Sequence, residues 1–145
     1  MKRILPIIFL LMFILTGCGT SENEIGTIAE YEDTKAELLK ADFFTTDDNR
    51  EMVRVHVRYT NDNSNDMYML ESFSVKAYQN EKELVDNTDL NDDVLSVPLI
   101  QSVKNGESLE GTYVFELRDR SSVEIQVCTP TADEILLAKN KYACE

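Results

Sequence analysis

Residues 52–61 read Met52-Val53-Arg54-Val55-His56-Val57-Arg58-Tyr59-Thr60-Asn61. Val53, Val55, Val57 and Tyr59 fall on one side of an alternating pattern, and Met52, Arg54, His56 and Arg58 on the other. Successive side chains of a strand point to opposite faces, so this segment is a strand with one packed face and one wet face. β-Branched residues on the packed side favour the same conformation.

The alternation returns along the chain. In SFSVKAYQ, Phe73, Val75 and Ala77 oppose Ser74, Lys76 and Tyr78. In TYVFELRD, Tyr113, Phe115 and Leu117 oppose Val114, Glu116 and Arg118. SVEIQVC sets Val123, Ile125 and Val127 against Glu124 and Gln126. AELLKADFF reads as a fifth strand, although Ala36, Leu39, Lys40 and Phe43 also fit one face of a helix. Turn-rich stretches separate these segments: TTDDNRE, NDNSND, QNEKE, DNTDLNDDVLSVPLIQ and KNGES. Short strands with turns at this spacing predict an all-β fold, an immunoglobulin-like antiparallel β-sandwich. At the C-terminal end, Thr131-Ala132-Asp133-Glu134 has the spacing of a capping box after Pro130, which predicts a short helix over 132–142. A further strand through EILLA is the rival reading.

The N-terminal segment has a different character. Lys2 and Arg3 precede Ile4–Leu15, an apolar run interrupted only by Pro6. As a helix those residues cover about 18 Å, short of the roughly 30 Å hydrocarbon core of a bilayer. They read as a signal peptide, and the small residues Thr16 and Gly17 suit cleavage. Leu15-Thr16-Gly17-Cys18 resembles the lipobox of bacterial lipoproteins. That resemblance implies a diacylglycerol on the Cys18 thiol and cleavage between Gly17 and Cys18. Two acyl chains hold a protein to a membrane stably where one does so only reversibly. The expected organisation is a lipoprotein signal peptide over 1–17, a small, polar and acidic lipidated tether over 18–30, and the sandwich over 31–145. The expected location is the extracytoplasmic side of the cell membrane, with the lipid as anchor.

Charge narrows the partners. The chain carries 14 basic and 27 acidic residues, a formal charge of −13. Without residues 1–17, 12 basic residues face the same 27 acids, giving −15. Such a surface repels nucleic acid and anionic lipid. With Cys18 assigned to lipid, Cys128 and Cys144 remain as a pair in a compartment where a disulfide persists, so a bridge is expected, with two free thiols as the alternative.

A wider resemblance rests on Tyr59-Thr60-Asn61, Ala77-Tyr78-Gln79-Asn80, Glu83-Leu84, Lys104-Asn105-Gly106 and the closing YVFELRDRSSVEIQV. Over about residues 50–127 the chain resembles an immunoglobulin-like domain of unknown function found on lipoproteins of Gram-positive bacteria. The resemblance implies a two-sheet sandwich on a lipid-anchored tether and no activity. Glu81 stands where glycine would follow Asn80, which moves the expected left-handed turn position onto Asn80. The Cys128 and Cys144 pair lies outside this pattern.

Little in the chain points to catalysis. His56 is the sole histidine, flanked by Arg54 and Arg58, and no Gly-x-Ser-x-Gly motif is present. A polar ladder of Arg54, His56 and Arg58 opposite acids such as Glu116 or Glu124 explains it. One histidine with two paired cysteines is a poor zinc set. Calcium has more support: Asp62, Ser64 and Asp66 alternate in NDNSND, and Asp86, Asp89, Asp92 and Asp93 crowd one loop. Yet the EF-hand glycine and bidentate glutamate are missing, and solvated acidic turns explain both stretches. The loop over 86–101 suits recognition by its length, or an added strand covering the core by its run of Val94, Leu95, Val97, Pro98, Leu99 and Ile100. The expected function is therefore a membrane-anchored, non-catalytic binding or accessory module without a cofactor other than its lipid. Its partner would be an envelope or extracellular protein, and the alternative is a solute- or calcium-binding lipoprotein using the acidic loops.

Overall fold

The computed structural model describes residues 25–90 and 94–144. Gly17, Cys18, Asp92 and Asp93 lie outside the described residues. The alternating stretch is strand β3 (Glu51–Asn61), and Val53, Val55, Val57 and Tyr59 are all fully buried. Burying each such side chain contributes about 1.5–3 kcal/mol relative to exposure. Flanking β3 are β2 (Thr34–Thr45) and β9 (Ser108–Glu116), both antiparallel to it. With β1 (Ile28–Tyr31) and β7 (Val85–Asp86) they form a five-stranded sheet in the order β1-β2-β3-β9-β7.

Facing it is a four-stranded sheet made of β5 (Ser74–Gln79), β6 (Lys82–Glu83), β10 (Val123–Cys128) and β11 (Leu136–Tyr142), in the order β11-β10-β5-β6. Val75, Ala77, Val123, Ile125, Val127 and Ala138 join the core that β3 fills from the other side. A ribbon of β4 (Met67–Tyr68) and β8 (Ser102–Val103), with the single-turn helix α1 (Met69–Ser72), closes one end. Tyr59 reaches that end: its hydroxyl lies 2.7 Å from Ser72 Oγ, and its ring meets Phe73 edge-on with centroids 6.1 Å apart. The expected antiparallel sandwich is what forms.

One local expectation holds with an added detail, and three change. The segment AELLKADFF is strand, and its helix-like spacing comes from a bulge: Leu38 pairs with Val57 and Lys40 with His56, leaving Leu39 extra. One inserted residue shifts the alternation by one and mimics a helical face. The turn after Gln79 places both Asn80 (φ 49°) and Glu81 (φ 65°) in the left-handed region, as a two-residue hairpin turn requires, rather than Asn80 alone. The 132–142 helix is absent and β11 takes its place. Thr129 fixes Ile135 through its backbone amide and through its hydroxyl, which accepts the Ile135 amide at 3.0 Å, and Glu134 reaches Lys76 of β5 instead of capping a helix. Finally the sandwich starts before residue 31: Ile28 opens β1, Ala29 is fully buried, and Thr27 and Gly26 accept from Leu38 and Lys139 on different sheets.

Among its described residues, the long segment between β7 and β8 adds no regular strand. It covers the exposed side of β9: Asn87 donates to the Val114 carbonyl, Thr88 Oγ1 accepts from the Val114 amide, and Leu95 O accepts from the Thr112 amide. A sheet edge left open would invite pairing with another chain, and these bonds close it. Val114, expected on a wet face, is buried as a result, and so is Thr112. The segment then makes a 3-10 turn over Val97–Ile100, which drops Leu99 into the core.

Leu99 meets Gly111, which lies opposite Val57 on β9. A Cβ at Gly111 would stand 2.7 Å from Leu99 Cδ2, and Leu99 is fully enclosed. Gly111→Ala is therefore expected to cost about 1–3 kcal/mol of stability by overpacking. In urea unfolding the added loss from Leu99→Ala should be smaller in that variant than in the wild type, because the two share one contact.

Candidate functional site

The outer face of the four-stranded sheet carries the polar side chains that alternation turns away from the core. The register sets Glu124 between Tyr78 of β5 and Lys141 of β11, and Gln126 between Lys76 and Lys139. Tyr78, Glu124, Gln126 and Lys141 line a groove of about 660 Å³, closed at one end by the Asn80 turn and by Ser121 and Ser122. Gln126 Nε2 donates to Glu124 Oε1 at 2.7 Å, and Asn80 Nδ2 to Ser121 Oγ at 3.2 Å. Partial burial, then the charge of Glu83, pushes the Tyr78 phenol above its usual range, with Lys76 opposing. The phenol stays neutral and can donate or accept. An aromatic ring, an amide, hydroxyls and both signs of charge thus converge where a hydrogen-bonding ligand can lie.

The outer face of the five-stranded sheet is different in kind. Arg58 spans Glu110 at 2.8 Å and Glu37 at 3.2 Å, and Arg50 spans Asp48 and Glu116. Arg54 lies 4.8 Å over the Phe44 ring. His56 Nε2 sits 2.6 Å from Asp42 Oδ2, beside Lys40. Burial works against the Asp42 charge, but hydrogen bonds from Lys40 and His56 outweigh it and hold the carboxyl below its usual value. The expected ladder of Arg54, His56 and Arg58 is present with changed partners. Glu116 serves Arg50, and Glu124 lies on the other sheet. Met52, placed by the pattern on this face, is buried at 3% exposure, packed where β2 brings Phe44 opposite it.

Among the described residues, the acids weighed for a metal do not converge. Asp62 and Asp66 follow the C-terminal end of β3, whereas Asp86 pairs with Phe115, which lies opposite Val53 near the other end. Among the described residues no three His, Cys, Asp or Glu side chains gather as metal ligands. Asp86 Oδ1 accepts the Thr88 amide, a local turn, and Asp66 accepts from Ser102. Asp89 lies in the segment that follows β7. What organises NDNSND is asparagine: fully buried Asn61 donates to Asn65 O and Val103 O and accepts the Asn63 amide. Gln79 does the same at the other end of the molecule, donating to Asp119 O and Ser121 O and accepting the Arg118 amide.

The expected Cys128 and Cys144 bridge is not formed; both thiols are free. β10 and β11 pair antiparallel from Val123↔Tyr142 to Cys128↔Leu136, so Cys144 lies past one end of β10 and Cys128 at the other. At about 3.3 Å per residue that separation is on the order of 20 Å, against the roughly 7 Å limit for a disulfide. Burial, then the charge of Glu134, raises the Cys128 thiol, with Lys76 opposing. Near the C-terminal end Cys144 is half-buried among Phe43, Met52 and Leu117.

Two antiparallel sheets packed face to face, joined by an N-terminal segment bonded to both, define an all-β sandwich whose polar groove lies on one outer face. The chain belongs to the family described as a domain of unknown function, DUF5067, which matches residues 20–128. No curated protein matches it in sequence. Three solved structures share the fold. One is a candidate lipoprotein of Staphylococcus aureus, at 12% identity and a TM-score of 0.63, with 81% of this chain and 88% of that one covered. A second is a candidate lipoprotein of Bacillus subtilis, at 16% identity and a TM-score of 0.60, with 83% of this chain matching only 39% of that one. The third is a protein of Enterococcus faecalis, at 16% identity and a TM-score of 0.54, with 82% and 90% covered. Among the described residues no helix is long and apolar enough to cross a membrane.

The groove was half visible beforehand, because Tyr78, Glu124 and Gln126 stand at outward positions of their strands. That β10 lies between β5 and β11, which brings Lys141 to them, has no local signal. The thiols give a direct check. In the native protein iodoacetamide is expected to label Cys144 and to spare Cys128, which is 5% exposed, with both labelled after denaturation and no mass change on reduction.

Proposed function

We propose that this chain is a lipid-anchored extracytoplasmic protein whose sandwich is a non-catalytic binding module, and that the groove on the four-stranded sheet is its binding face. The observation that carries the reading is the groove itself: about 660 Å³ lined by convergent polar groups around the Tyr78 ring. Ligand sites are concave and pair an apolar surface with a few oriented polar groups. On the opposite sheet the charges already satisfy one another across β2, β3 and β9, so that face offers a partner little. The anchor is supported by Leu15-Thr16-Gly17-Cys18 after an apolar run, and by two fold relatives described as candidate lipoproteins. The partner is an envelope or extracellular molecule rich in hydrogen-bonding groups, and the anchor sets its distance from the membrane.

Two measurements test this reading. Cys18→Ala is expected to leave an uncut precursor without incorporated labelled fatty acid; label on that variant refutes the anchor. A photo-crosslinking residue at position 126 is expected to capture a partner in intact cells, and one at position 58 to capture none. Tyr78→Ala should abolish the position-126 product without lowering the amount of protein. Equal capture from both positions refutes the assignment of the groove.

A further inference from the structure

We infer that a second cleft, on the flank where the two sheets meet, binds a primary alkylammonium group. This cleft of about 300 Å³ is separate from the groove, and Tyr113 of β9 lines it together with Phe73, Val75, Pro130, Asp86 and Glu134. Tyr113 is 3% exposed, and its hydroxyl has no hydrogen-bond partner among the described residues. A buried phenol normally finds one, and phenylalanine would fill the same space without stranding a polar group. The hydroxyl is a liability to the fold, and a ligand entering the cleft accounts for it.

The other side chains define that ligand. Phe73, Val75 and Pro130 offer apolar walls suited to methylene groups. Asp86 and Glu134 stand exposed beside them and supply carboxylates, Glu134 shared with Lys76 at 2.6 Å. Burial, then the charge of Asp86, pushes the Tyr113 phenol far above its usual value, so it remains neutral and can accept an N–H. An anion would meet both carboxylates and a chain of net charge −13. A purely apolar guest would leave the phenol stranded. An ammonium on a short alkyl stem satisfies the phenol, the carboxylates and the walls together. That chemistry occurs both in free amines and in lysyl side chains of a basic protein.

Amide NMR titration of the whole sandwich distinguishes the outcomes. Butylammonium and N-acetyl-lysine-N-methylamide are expected to shift the amides of Ser74, Val75 and Tyr113, and butanol to leave them in place. Tighter binding of butylammonium identifies a free amine, and tighter binding of the blocked lysine identifies a lysyl side chain. Tyr113→Phe should raise Tm without ligand and weaken amine binding about tenfold. Asp86→Asn keeps the oxygen that accepts the Thr88 amide and should weaken amine binding at unchanged Tm. Absence of any shift with either amine, equal shifts with butanol, a lowered Tm in Tyr113→Phe, or unweakened binding by that variant would each overturn the inference.

Discussion

Everything in this molecule is arranged around the inner row of β3. Val53, Val55, Val57 and Tyr59 lie between β2 and β9 and under the valines and isoleucine of β10, with none of their surface left to water. A slip of one residue would exchange that row for Arg54, His56 and Arg58, so the pairing register is fixed by the cost of burying three cationic or polar side chains. The row also sets the ends. Asn61 continues it into the loop that meets β8, where its amide holds three backbone groups. Gln79, ending the corresponding row of β5, holds three more. Buried amides are unfavourable unless fully bonded, and each of these is bonded at both its nitrogen and its oxygen.

The two outer faces diverge from the same logic. On the five-stranded sheet, oppositely charged residues stand side by side across β2, β3 and β9, and the segment after β7 lies against β9. Exposed pairs of this sort add little stability, but they leave a self-satisfied surface. The four-stranded sheet has fewer internal pairs and a ring standing beside open hydrogen-bonding groups. A difference in neutralisation, more than in hydrophobicity, separates the two faces.

The strands with unbroken alternation were legible from the sequence, because burial on one face imposes period two and nothing else in those segments competes. Where the pattern misled, a tertiary partner had intervened. Leu39 is the extra residue where the pairing of β2 with β3 shifts register. Glu134 had a lysine of β5 available and left no helix to cap. The cysteines looked paired because spacing along the chain says nothing about which end of a strand each occupies. NDNSND looked like carboxylate ligands when its asparagines were the working residues. The groove and the cleft needed strand order, which no local pattern encodes: Lys141 reaches Glu124, and Tyr113 reaches Asp86, only after β10 and β7 have found their places.

The crossing of the N-terminal segment between sheets has a mechanical side. Lys139 of β11 holds Gly26 and Leu38 of β2 holds Thr27, so successive residues are fastened to opposite halves of the sandwich before β1 begins. Traction applied to the chain ahead of Gly26 is therefore divided between both halves at the point of entry. Neither sheet alone takes the load, and Ala29, fully enclosed, is the next barrier to peeling. Under a pull along the chain, that junction works as a strain relief.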